Sequence, residues 1–175
     1  MSFDVSFLIA EIEKEITHLD DHRVADYLRN QLLPPFVISR RWDYGQSDDH
    51  YPCWTVLRNK KYDTDIVYSE HGFGPRLPWG LVFSDAEEGH MGMDSSWHIG
   101  FLDACFDSRV VIDLPIWKVF ERDQDGELSI ISNEGTWDDT WKLVIELREK
   151  NADRKYDCDN SIYSLRDEAR RSKIL

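Results

Sequence analysis

A chain of 175 residues with 21 Lys and Arg against 34 Asp and Glu carries a formal net charge of −13, and 41% of it is hydrophobic, including seven Trp, seven Tyr and eight Phe. That apolar share excludes a disordered chain. The charge makes phosphate backbones and anionic lipid surfaces poor direct partners and a basic protein a better one. The length suits one compact domain spanning residues 1–175.

Ile9, Ile12, Ile16 and Leu19 recur at three-and-four spacing behind Asp4 or Ser2 as a cap, which predicts an amphipathic helix. A second helix follows Asp20-Asp21. Val24, Tyr27, Leu28, Leu32 and Leu33 form its apolar face, and Pro34-Pro35 stops it by removing amide donors. From Phe36 to Tyr44 the period changes to two, with Phe36, Ile38, Arg40, Trp42 and Tyr44 on one side of a strand. Further strands are expected at Cys53 to Leu57, Asp65 to Tyr68 and Trp79 to Phe83, the first two forming an antiparallel pair across the polar turn Arg58-Asn59-Lys60-Lys61.

Asp94 or Ser95 is expected to cap a helix through Trp97, Phe101, Ala104 and Cys105. Ile116 to Glu121 and Glu127 to Ile131 form a hairpin around Asp125-Gly126, the strongest turn signal in the chain. Thr136-Trp137-Asp138-Asp139 resembles a capping box with Asp for Glu, ahead of Trp141, Val144, Ile145 and Leu147 on one helical face. Asn160 to Leu175 reads as a short peripheral helix around Ile162, Tyr163 and Leu165. The expected fold class is α+β, a mostly antiparallel sheet packed with an N-terminal helical hairpin and further helices.

Cys53, Cys105 and Cys158 are odd in number and form no CxxC pair, which fits free thiols in a cytoplasmic protein. Met1 to Leu19 is broken by Asp4, Glu11, Glu13, Glu15 and His18, so it does not read as a secretory signal. No stretch approaches the roughly 18 uncharged apolar residues of a membrane span. P-loop, GxGxxG and GxSxG motifs are absent. Around Gly126 a calcium loop would need its bidentate Glu at Ser132, so a hairpin turn remains. Cys105 lies seven residues after His98, which on a helix separates them by about 10 Å, too far for a nucleophile and its base. No cofactor and no metal site are expected, the histidines His18, His22, His50, His71, His90 and His98 matching no zinc spacing.

Two acidic zones stand out. Leu77 to Ser108 holds Asp85, Glu87, Glu88, Asp94, Asp103 and Asp107 among aromatics, without a Lys or Arg. Glu121 to Trp141 holds seven acids against Arg122 alone. Solvated loops account for both in the plain reading, and the helix dipole accounts for Asp138 and Asp139. The sharper reading is a docking surface, because uncompensated carboxylates steer a basic partner while aromatic anchors hold it. Its candidate contacts are Asp85, Glu87, Glu88, Asp94, Asp123 and Asp125, with Trp97 as anchor.

In overall character, and in the strings Gly72-Phe73-Gly74-Pro75 and Pro78-Trp79-Gly80-Leu81-Val82, the chain resembles bacterial immunity proteins of contact-dependent or polymorphic toxin systems. The resemblance implies a non-enzymatic, cytoplasmic protein that neutralises a toxin, for instance a nuclease whose basic cleft it fills with carboxylates. Two other classes are a regulatory or structural interaction module, and a metal-assisted hydrolase using His90, His98, Glu87 and Asp94.

Overall fold

A computed structural model describes residues 3–84 and 89–171. In chain order the elements are α1 (Val5–Thr17), α2 (His22–Gln31), β1 (Leu32–Trp42), β2 (His50–Asn59), β3 (Thr64–Tyr68), β4 (Trp79–Phe83), β5 (His90–Met91), β6 (Ser96–His98), α3 (Phe101–Asp107), α4 (Val110–Asp113), β7 (Trp117–Arg122), β8 (Leu128–Gly135), α5 (Trp137–Lys150), β9 (Lys155–Asn160) and α6 (Ile162–Arg171). One sheet has six strands in the order β5-β1-β2-β3-β4-β6, and a second has three in the order β8-β7-β9. All pairings are antiparallel except β1 with β5. The fold is therefore α+β with a mostly antiparallel sheet behind an N-terminal helical pair.

The helices cover one face of the large sheet. Leu8, Ile12 and Ile16 of α1, Val24 and Leu28 of α2, and Phe101, Leu102 and Phe106 of α3 close over Val56, Ile66 and Trp79 in the main core. Each fully buried Leu, Ile or Phe contributes about 1.5–3 kcal/mol of hydrophobic stabilisation. Asp4 caps α1 by accepting from the Ser6 amide at 2.9 Å, and Asp21 caps α2 by accepting from that of Arg23 at 3.0 Å. Of the expected α1 face Ile12, Ile16 and Leu19 are buried, while Leu8 takes the place of Ile9, which is exposed.

The second helix ends at Gln31, two residues sooner than its apolar pattern suggested, and Leu32 already pairs with Leu57. Pro34 and Pro35 lie inside β1 where its register with β2 shifts, an irregularity that accommodates their missing amide donors. The helix expected from Asp94 or Ser95 is shorter. Ser96–His98 is a strand on the edge of β4, and α3 begins only at Phe101. Two contacts explain this. Gly80 leaves a slot for the Trp97 ring, which a Cβ would meet at 2.9 Å. The cap of α3 is remote: Glu15, buried on α1, accepts from the Phe101 and Leu102 amides at 3.1 and 2.9 Å.

The β7–β8 hairpin turns at Asp125-Gly126 with Gly126 at φ +90°, and the Asp123 carboxylate accepts from the Asp125 and Glu127 amides, both at 2.9 Å. Thr136 caps α5, accepting from the Asp139 amide at 3.3 Å and donating to its carboxylate at 2.7 Å. The buried face of α5 is Thr140 and Val144, whereas Trp141 and Ile145 are exposed. Val144 packs with Val119 and Tyr156 in a small core of the second sheet. α6 sets Leu165 and Ala169 into the main core, while Tyr163 is exposed. No helix among the described residues is long and apolar enough to cross a membrane.

The other face of the large sheet holds charge. Arg40 and Asp65 have fully buried side chains. Arg58 grips Asp65 from β2 with Nε and Nη2 at 2.8 and 2.7 Å, Ser84 Oγ donates to it at 2.6 Å, and Arg40 Nη2 reaches it at 3.4 Å. Arg40 Nη1 donates to the carbonyls of Phe83 at 3.0 Å and His90 at 3.5 Å. Burial pulls the Arg40 pKa below its ordinary value, a cost that the nearby Asp65 charge opposes. Asp65→Ala would leave buried guanidinium uncompensated, so urea unfolding should show a loss of about 3–5 kcal/mol. A loss below about 1 kcal/mol would mean that the cluster does not hold these strands.

Candidate functional site

β1 and β5 run side by side because Arg41 donates its amide to Gly89 O at 2.8 Å and Asp43 donates to Met91 O at 3.1 Å. At the end of that parallel pair opens a groove of about 460 Å³, lined by Asp43, Phe83, His90, Met93, Asp94 and Ser95 together with Arg41. Asp43 organises it. Its carboxylate, nearly buried, takes His90 Nδ1 at 2.7 Å and the Met93 amide at 3.0 Å. Those contacts fold the β5–β6 turn back onto β1, with Gly92 at φ +123° and Asp94 at φ +57°. A Cβ on Gly92 would press against the Tyr44 ring at 3.1 Å, so glycine serves both the backbone angle and the close approach.

Ser95 locks the turn from inside. Its hydroxyl accepts from the Gly92 amide at 3.0 Å and from Trp97 Nε1 at 2.8 Å, and donates to Gly92 O at 2.8 Å. With those partners its oxygen is a structural group and not a nucleophile. Beside the groove an aromatic cluster covers the sheet: Trp42 meets Phe73 at 5.0 Å and Tyr44 at 5.3 Å, and Phe73 meets Trp97 at 6.0 Å. Tyr44 is 61% exposed, Met93 61% and Phe83 56%, so large apolar side chains face solvent around the Asp43 and Asp94 carboxylates. The β1–β2 turn that supplies Asp43 and Tyr44 also carries Asp48 and Asp49, and no Lys or Arg.

Of the contacts expected from sequence, Asp94 lines this groove. Asp85, Glu87 and Glu88 lie outside the described residues. Trp97, expected as an anchor, is half-buried on β6 against Gly80. Asp123 and Asp125 sit on the tip of the β7–β8 hairpin, in the other sheet. Asp43, Tyr44, Phe83 and Met93 escaped the sequence reading because the turn that joins them closes between residues 47 and 50 apart. The only local trace is the string Trp42-Asp43-Tyr44, an acid between two aromatics at a strand end.

His90 and His98 do not converge. His98 lies in a separate groove with Leu77, Ile99 and Asp107, its Nε2 3.1 Å from Ser96 Oγ. Among the described residues no group of three or more His, Cys, Asp or Glu is placed to hold a metal ion. Cys105 is fully buried, and burial followed by the charge of Glu15 pushes its thiol well up. Burial raises the Cys53 thiol to about 11, although the Arg40 charge opposes it.

Comparison with protein-family models, with curated proteins and with solved structures finds no match for this chain.

The thiol environments predict an order of labelling. In native protein at pH 8 a disulfide reagent should modify the half-buried Cys158 and leave Cys53 and Cys105 untouched until denaturant is added. Equal native rates for all three would contradict the buried, protonated thiols.

Proposed function

We propose that this chain is a non-enzymatic docking protein for a basic protein partner, acting in the cytoplasm as an immunity protein that neutralises a toxin. The supporting observation is the groove at the β1–β5 junction, where exposed Asp94, Phe83 and Met93 line a wall organised by the nearly buried Asp43, with exposed Tyr44 beside it, on a chain of net charge −13. The exposed Asp94 carboxylate there attracts a cationic surface over the last Debye length, about 8 Å at physiological salt. The apolar side chains then supply the desolvated contact that slows dissociation. Arg41 is a cation in the same wall and limits how much positive charge the groove accepts.

A toxin with a basic cleft would be blocked by steric cover and by carboxylates standing where substrate phosphates bind. Among the described residues the Asp43–His90 pair shares the groove with Ser95, whose hydroxyl is already bonded to Gly92 and Trp97.

An immunity gene is expected beside the gene of its toxin, so the test uses the basic protein encoded next to this chain. Co-expression should rescue cells that the neighbour alone kills, and the two proteins should co-purify. Raising salt from 50 to 300 mM should lower the association rate at least about tenfold, and Asp94→Lys with Tyr44→Ala should lower affinity by about ten- to a hundredfold. A harmless neighbour, or a complex indifferent to both salt and these substitutions, would overturn the reading.

A further inference from the structure

A second cavity, of about 400 Å³, opens where the start of α1 meets β2 and β3. Its wall is aromatic. Phe3 stacks on Trp54 with centroids 5.1 Å apart and planes at 23°, and tilts onto Tyr68 at 5.5 Å. Phe7, on the next turn of α1, projects beside them and is 51% exposed. Two carboxylates, Asp4 and Glu70, complete the lining, with His71 stacked on Tyr51 at 4.7 Å, and among the described lining residues none is Lys or Arg.

Several observations give this cavity a sign. Ring faces carry negative electrostatic potential and attract cations, Trp most strongly. Asp4 offsets the positive end of α1 while it caps the helix through the Ser6 amide at 2.9 Å. Tyr68 has its phenol pushed up, first by burial and then by the charge of Glu70, to which it also hydrogen-bonds, with a smaller push from Glu11. A neutral tyrosine face beside a carboxylate suits an alkyl cation, because the ring desolvates the stem while the acid meets the charge.

We propose that this cavity receives the cationic head of an Arg or Lys side chain presented by the partner, a site distinct from the Asp43–Asp94 groove. The inference rests on the docking reading above and names the chemistry of a second contact. The volume exceeds what one guanidinium fills, which leaves room for the aliphatic stem along Phe7 and Trp54. Solvent-facing Phe7 and Glu70 can be changed without opening the core.

The probe is an octa-arginine peptide, titrated calorimetrically at 50 mM salt into the full chain. Glu70→Gln and Phe7→Ala should each weaken binding by about three- to thirtyfold. Glu149→Gln, on exposed α5, makes the same change in net charge as Glu70→Gln and should weaken it less than about twofold. Near-ultraviolet circular dichroism checks that each variant keeps native packing. Equal effects of Glu70→Gln and Glu149→Gln, or no effect of Phe7→Ala, would overturn the cage and reduce the peptide's binding to net charge. If those variants are silent while Asp94→Lys weakens the neighbouring-gene complex, the cavity proposal falls and the docking reading stands. Absence of octa-arginine binding to the unaltered chain overturns the cavity alone.

Discussion

Asp65 stands where five strands converge. Arg40 reaches it from β1 and Arg58 from β2, and the carbonyls of Phe83 on β4 and His90 on β5 take the remaining face of Arg40. Such a cluster adds little net stability, because desolvation offsets the Coulomb attraction. Its effect is selective. A slip of β1 by one residue would turn Arg40 toward the helices, among Val56 and Ile66, and place Ser39 or Arg41 against Asp65. The register of β1 is thereby specified from its buried side. β5, two residues long, depends on the same anchor, since one of its carbonyls faces Arg40. The groove inherits its geometry from that arrangement, because Asp43 lies three residues beyond Arg40 and binds the turn that β5 begins.

The sheet is covered on both sides, but by different material. Helices bury one face under Leu, Ile and Phe. On the other face Cys53, Val67, Val82 and Met91 are covered by Trp42, Tyr51 and Trp97 together with the turns that carry Gly72 and Gly92. A loop-covered face is where binding surfaces are found, because loops tolerate exposed side chains that a helix interface would exclude. Many acids elsewhere are already spoken for. Glu121 meets Arg154, Asp157 meets Arg122, Glu13 meets Arg29, and Lys61 lies between Asp113 and Asp138. The groove matters to the functional reading because its carboxylates are accompanied by exposed apolar side chains, which a merely solubilising acidic surface does not require.

The strand Trp79–Phe83, and turns with a local chemical cause such as Asp125-Gly126, were legible from the residues alone. So was the grouping of Arg40 with Ile38 and Trp42 on one side of its strand, though nothing in the sequence names Asp65 as its partner. The expected helix through Trp97 failed for a physical reason. Trp97, Phe101, Ala104 and Cys105 satisfy helical spacing, but hydrogen bonding to β4 outweighs it for Trp97, and the helix is capped from α1. β5 and β9 carry no usable pattern, the first because it is two residues long and the second because Lys155–Asn160 is mostly polar. Both candidate binding sites are non-local. Asp43 with His90, and Phe3 with Trp54 and Tyr68, meet only after the sheet and α1 have assembled.

The docking account is tested most directly by amide chemical shifts, recorded on isotopically labelled protein as a purified basic partner is added. The account predicts that the largest changes fall at residues 41–44 and 90–95, with a second set at Phe7 and Glu70, and that they fade as salt is raised. Changes centred on the Asp123–Asp125 hairpin tip, or spread evenly over the acidic surface, would contradict it.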